Sequence, residues 1–285
     1  MSRGIALIGR FATDWIRYSN YILKEDSKGD IYIVPAEDAT FTMYNPFDVA
    51  EDLLLDLIGI GEEALKFERQ SGEENEVRLN NLILVFAKKY GLLGLISASV
   101  YNHNIIGEST VFLMENNLIA KEKVMEGDQY INKFLPFIKE GDIIFYEHKH
   151  GIGIVKREDS PKFYGKRPIV LDLVFSRFYA EKIKWITGFA KMIVTHFNQL
   201  LTYRNSSMYL TENVTIMAGK FQAQKIGFII NQLDKTTIAW QFDSLKTAIE
   251  TIYAFAVTDE TILLNRCSHC EKVFIANSNR EKYCN

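Results

Sequence analysis

The chain has 285 residues, 47% of them apolar, with only 5 prolines and a formal net charge of −3. That composition excludes a disordered chain and a globally basic nucleic-acid binder, and it is long enough for one large core or two modest ones. Charge is unevenly placed: residues 45–76 carry 10 acidic side chains against 2 basic ones, residues 133–204 carry 13 basic against 7 acidic, so a basic surface is compatible with an acidic total.

The opening residues 1–44 read as strand-rich. Ala6 to Ile8 and Ile31 to Val34 are short β-prone runs, and the turn-prone SKGD at Ser27 to Asp30 lies between them. Asn45-Pro46 then supplies a helix start, an N-cap side chain followed by a proline whose φ is already helical. A first helix is predicted to about Leu57. A second is predicted over Asn75 to Tyr90, with Val77, Leu79, Leu82, Ile83, Phe86 and Ala87 largely on one face, Lys88 and Lys89 at its carbonyl end and Gly91 as its stop.

Between Asn104 and Val174 the helical period weakens. Ile143 to Tyr146 and Ile152 to Val155 flank EHKHG and read as a hairpin. From Ser176 to Tyr203, Tyr179, Ile183, Ile186, Ala190, Ile193, Phe197 and Leu200 alternate at spacings of four and three, which keeps one apolar seam on a helix of about eight turns. Such a seam must pack on another helix, in the same chain or in a second copy. A last helix is predicted over Thr236 to Val257, where Phe242, Leu245, Ile249, Ile252 and Ala256 repeat the pattern.

The expected fold is therefore mainly α: a helical bundle with a small β element and an incomplete C-terminal zinc knuckle. The expected divisions are a strand-rich lead-in with helices (1–103), a β-containing insertion (104–175), a long-helix core (176–264) and the knuckle segment (265–285). The N-terminal MSRGIALIGRFATDW has no apolar core of signal-peptide length, and the apolar stretch 91–100 is too short to span a bilayer. A cytoplasmic protein without membrane contact is expected, and the Asn205 and Asn213 sequons are then chance.

All 3 cysteines, Cys267, Cys270 and Cys284, fall in the last nineteen residues, RCSHCEKVFIANSNREKYCN being the final segment. Clustering of that kind argues for a metal site in a reducing compartment over a disulfide framework. A Cys-x-x-Cys turn presents two thiolates whose sulfurs accept backbone N–H groups, and zinc in a structural site takes four ligands. Three are present. His269 lies inside the turn, where closing on the same ion is strained; the fourth ligand is expected from elsewhere, and His148 and His150, alternate residues of one predicted strand, are candidates in the chain. A redox Cys-x-x-Cys lacks the strand-turn-helix context it needs.

The succession CSHC, Phe274 and REKYCN resembles the C-terminal zinc knuckle of bacterial proteins related to the CGNR zinc-finger group; about the last 45 residues carry the resemblance, and FAKKYGLLG at Phe86 to Gly94 is also similar to relatives with that knuckle. It implies a helical N-terminal body, zinc bound through Cys267, Cys270 and Cys284, and nucleic-acid binding in transcriptional regulation. No C-G-N-R tetrapeptide occurs in the sequence.

Three functions follow as expectations. In the first, a nucleic-acid-binding regulator, Arg266, Lys272, Arg280 and Lys282 contact phosphate and Tyr283 stacks; the same cations also serve to balance thiolate charge. In the second, a nuclease-like effector of a stress or phage-defence system, Glu147, His148 and His150 assemble a site, although no P-loop, G-x-S-x-G, H-E-x-x-H or dinucleotide fingerprint is present. In the third, a dimerisation module, the Tyr179–Leu200 seam joins two copies as a homodimer.

Overall fold

The computed structural model of the protein describes residues 11, 13–70, 72–96, 98–102, 109–113, 124–126, 129, 133–137, 144–148, 151–155, 177–205, 221, 226–232, 236–258, 263–276, 278 and 281–284. The lead-in forms four strands: β1 (Trp15–Tyr18), β2 (Tyr21–Glu25), β3 (Ile31–Pro35) and β4 (Phe41–Tyr44). β2 and β3 pair antiparallel from Tyr21 opposite Pro35 to Glu25 opposite Ile31. Their turn is the SKGD segment, closed by the Asp26 carboxylate, which accepts the N–H groups of Lys28 and Asp30 at 2.9 Å each. β1 pairs with β4. The segment Ala6 to Ile8 lies outside the described residues.

Asn45 caps as its sequence suggests: its side chain accepts the N–H of Phe47 at 3.2 Å, one 3₁₀ turn spans Pro46–Val49, and α1 (Ala50–Arg69) follows. The helix runs well beyond Leu57, with acids in its first turn and Lys66 and Arg69 in its last, both favourable to its dipole. α2 (Glu73–Tyr90) buries Leu79, Ile83, Phe86, Ala87 and Tyr90, whereas Val77 stays 54% exposed. Gly91 has φ +85°, and a Cβ there would stand 2.1 Å from the Ile16 carbonyl oxygen; only glycine lets β1 pass this close.

The next strands are β5 (Ala98–Asn102), β6 (Ser109–Leu113) and β7 (Val124–Glu126), a three-stranded sheet in that order, and the hairpin β8 (Ile144–His148) and β9 (Gly151–Val155). The expected EHKHG hairpin is thus formed, with Ile144 opposite Val155. β10 (Glu181–Lys182) adds to β3, and α3 (Ile183–Asn205) begins directly after it. The seam helix therefore starts later than predicted: Tyr179 lies ahead of a strand residue pair that is claimed by the sheet. Tyr179, Ile186, Ala190, Ile193 and Phe197 are each at most 2% exposed, and α3 lies along α1 within the same chain. The crossing is close because residue 61 is glycine; a Cβ there would meet the Ala190 carbonyl oxygen at 2.5 Å.

Strands β11 (Gly227–Gln232) and β12 (Thr236–Gln241) form a hairpin, and only then does α4 (Leu245–Thr258) begin. The last helix therefore starts nine residues later than the predicted Thr236, at Leu245. Thr236, Thr237, Ile238 and Trp240 are β-branched or aromatic, and residue by residue they pair with the 227–232 strand. β13 (Leu263–Arg266) and β14 (Val273–Ala276) are the last strands among the described residues. The mainly α bundle is thus corrected to a mixed α/β fold: among the described residues four α-helices stand with fourteen strands in six antiparallel sheets. Short aromatic and β-branched runs between turns carry the strands, and their alternation is a weaker periodic signal than the long helical seam.

One apolar cluster takes in residues from Phe11 to Leu264. Its polar hub is the loop after α2. Glu181, with no exposed surface, accepts the N–H groups of Leu93 and Leu95 at 2.9 and 2.8 Å and the Tyr179 hydroxyl at 2.7 Å. From the other side the Lys246 N–H donates to the Leu93 carbonyl at 2.8 Å. Lys246 and Glu250 form a buried pair at 2.6 Å on α4. Among the described residues no helix is long and apolar enough to cross a membrane.

Candidate metal centre

The cysteine segment hangs from the β13–β14 hairpin. After Arg266 ends β13, Cys267 to Cys270 make a tight turn: the Glu271 N–H donates to the Cys267 carbonyl at 2.9 Å and the Cys267 N–H to the Lys272 carbonyl at 2.9 Å. Glu271 has φ +59°, the left-handed conformation that such a turn requires of the residue after its second cysteine. A glycine there would have marked the turn in the sequence; a glutamate gave no such signal. Val273 and Ile275 of β14 pack on the main core and Phe274 is half-buried.

The final residues fold back beside the turn. The Ser268 N–H donates to the Lys282 carbonyl at 2.8 Å, and the Asn265 side-chain amide to the Glu281 carbonyl at 3.1 Å. These two bonds deliver Cys284. Its N–H points at the Cys267 Sγ, 3.4 Å away, and its own Sγ lies 3.3 Å from that of Cys270. All three sulfurs are within 4.8 Å of one another, with Cys267 buried, Cys270 exposed and Cys284 between. Zinc–sulfur bonds of about 2.3 Å in a tetrahedron set sulfurs about 3.8 Å apart, a value inside the observed range. One soft divalent ion fits the donor set.

Electrostatics favour an anionic sulfur at the turn. Backbone N–H groups of Cys270, Cys284 and His269 bring the Cys267 thiol down from 9.0 to about 6. Hydrogen bonding to the Cys270 and Cys267 sulfurs pushes the Cys284 thiol up from 9.0 to about 11, since a thiolate there would face its neighbours' negative charge. A bound cation reverses that penalty by binding all three as thiolates.

The structure brings Cys267, Cys270 and Cys284 together and gives Arg266 another partner. Arg266 donates from Nη2 to the Asn198 side-chain oxygen of α3 at 2.9 Å and from Nη1 to the Glu271 carbonyl at 2.6 Å. The same Nη1 lies 2.6 Å from the Glu62 carboxylate of α1, as an ion pair without hydrogen-bond alignment. Its head group is a clasp between the cysteine segment and the helices. Lys272 and Lys282 are exposed, Tyr283 is 64% exposed, and His269 is exposed beside the turn. Arg280 and His150 lie outside the described residues, as do the side chains of Glu147 and His148. Sequence reasoning missed Glu62 and Asn198, which anchor the knuckle from distant helices and carry no local mark of it. Cys270, Glu271 and Lys272 also wall a groove of about 780 Å³ floored by Ile58, Leu82, Phe86 and Val194.

The chain thus combines a mixed α/β body with a three-cysteine centre held on its surface by a hairpin. No protein-family model matches the chain, and no curated protein or solved structure shows significant similarity to it.

Proposed function

We propose that residues 265–285 form a zinc knuckle and that the protein is a nucleic-acid-binding regulator. The observation that carries this reading is the convergence of three sulfurs within 4.8 Å of one another on a turn whose N–H groups favour thiolate. Soft sulfur donors in that number suit zinc above magnesium or calcium, which take oxygen ligands. Cys267, Cys270 and Cys284 would hold the ion, and its charge would bind the folded-back tail to the turn. Around it, the exposed Lys272 and Lys282 suit phosphate, and the exposed Tyr283 offers a face on which a base can stack. Arg266, turned inward, orients the knuckle on the body rather than touching the ligand. A reducing, cytoplasmic setting fits the three free thiols.

Metal analysis of the purified chain together with fluorescence anisotropy on random-sequence DNA and RNA tests the reading. About one zinc per chain is expected, lost in Cys267→Ser. Binding should weaken steeply with salt, and a Lys272→Ala/Lys282→Ala double variant should lower the slope of log affinity against log salt by about 2. Absence of zinc, or of any binding at low salt, would overturn the corresponding half.

A further inference from the structure

We propose that Cys270 and Cys284 are a peroxide-reactive dithiol, a modification site that closes to a disulfide while Cys267 remains a thiol. The sulfurs of this pair lie 3.3 Å apart and face outward, Cys270 exposed and Cys284 half-exposed. A disulfide bond is about 2.05 Å long, so little over about 1 Å of approach is needed. Cys267 is only 2% exposed, and its sulfur is occupied by the Cys284 N–H. The sequence neighbours Cys267 and Cys270 therefore form the less available pair, although their Cys-x-x-Cys spacing is the one that reads as redox. Cys284 is kept beside Cys270 by the Ser268–Lys282 and Asn265–Glu281 hydrogen bonds.

The oxidant is hydrogen peroxide. The Cys270 thiolate attacks one peroxide oxygen, the O–O bond breaks, and the departing hydroxide takes a proton to become water. That leaves a sulfenic acid on Cys270. The Cys284 sulfur then attacks the Cys270 sulfur, the S–O bond breaks, and the hydroxyl leaves with the thiol proton as a second water. Two thiols give up two electrons and two protons, and one peroxide becomes two waters. Any ion held by the three sulfurs loses two of them and is released; this release rests on the zinc reading above, whereas the disulfide does not.

The test treats the full chain, zinc-loaded and chelator-stripped, with hydrogen peroxide, then alkylates, digests with trypsin and maps links by mass spectrometry. The expected product joins the Cys267–Lys272 peptide to the Tyr283–Asn285 peptide with two hydrogens lost and the alkyl tag on Cys267. From the loaded chain, one equivalent of zinc should reach a chromogenic chelator per disulfide and return to the protein after dithiothreitol. Cys267→Ser should keep the link, and Cys284→Ser should leave a dimedone-trappable sulfenic acid on Cys270. A product dominated by a Cys267–Cys270 link, or three thiols untouched while added glutathione is oxidised, overturns the proposal. A chain that makes the Cys270–Cys284 link but never carries zinc supports it and removes only the zinc reading.

Discussion

Asp30 shows how one side chain records the docking of distant segments. Its carboxylate pairs with Lys182 and Lys184, one from β10 and one from the start of α3, and these partners bring it from 3.8 to about 2. A folded value below the unfolded one means that the contribution is complete above about pH 4 and disappears as pH falls toward about 2. Asp30→Asn should therefore lower the melting temperature at pH 7, and variant and parent should converge in acid. Thermal melts across that range check the sign. At this scale the sequence was legible where chemistry is concentrated: three cysteines inside nineteen residues identify themselves. It was silent on Glu181 and Asn198, whose partners lie 88 and 68 residues away. Nothing local distinguishes a carboxylate that will accept buried backbone N–H groups from one that will face water.

Among elements, the α1–α3 crossing is set by the absence of a side chain. Gly59 and Gly61 sit on the same helix, yet a Cβ at 59 meets nothing within 4 Å, while one at 61 would strike the Ala190 carbonyl and the Val194 methyl at 2.5 and 2.6 Å. Gly61→Ala should cost about 1–3 kcal/mol by forcing the helices apart. Gly59→Ala should be neutral or stabilise by up to about 1 kcal/mol, since alanine is the better helix former. Urea unfolding of the pair separates packing from propensity. The seam of α3 was readable because six apolar residues from Ile183 to Leu200 keep one period over many turns. The β11–β12 hairpin was not, because its connection is Leu-Asp-Lys, with none of the Gly or Asn that marks a tight turn. Phe242 and Leu245 also fit a helical stripe, which drew the predicted helix back across a strand.

For the molecule as a whole, the cysteine segment is joined to the body through Arg266, held by Glu62 of α1, Asn198 of α3 and the Glu271 carbonyl. Arg266→Ala should leave the three sulfurs able to take up metal, because none of their hydrogen bonds runs through that side chain. It should loosen the docking by about 2 kcal/mol, the scale of a charge-assisted hydrogen-bond set that is partly open to water. Hydrogen exchange would register this as faster exchange across residues 263–276 with α4 unchanged. Within the chain, Ile186, Ala190, Ile193 and Phe197 of the seam are buried and α3 lies along α1.

The loop after α2 has a bearing on how the chain is made. Its Leu93 and Leu95 N–H groups are accepted by Glu181 and its Leu93 carbonyl by the Lys246 N–H, partners that are synthesised much later. At roughly 5–20 residues per second, the 88 residues separating Leu93 from Glu181 occupy the ribosome for roughly 4–18 s. Throughout that interval α1 and α2 exist without the strand and helix that cover them, their apolar faces open to whatever meets a nascent chain. A protein wired this way completes its core late.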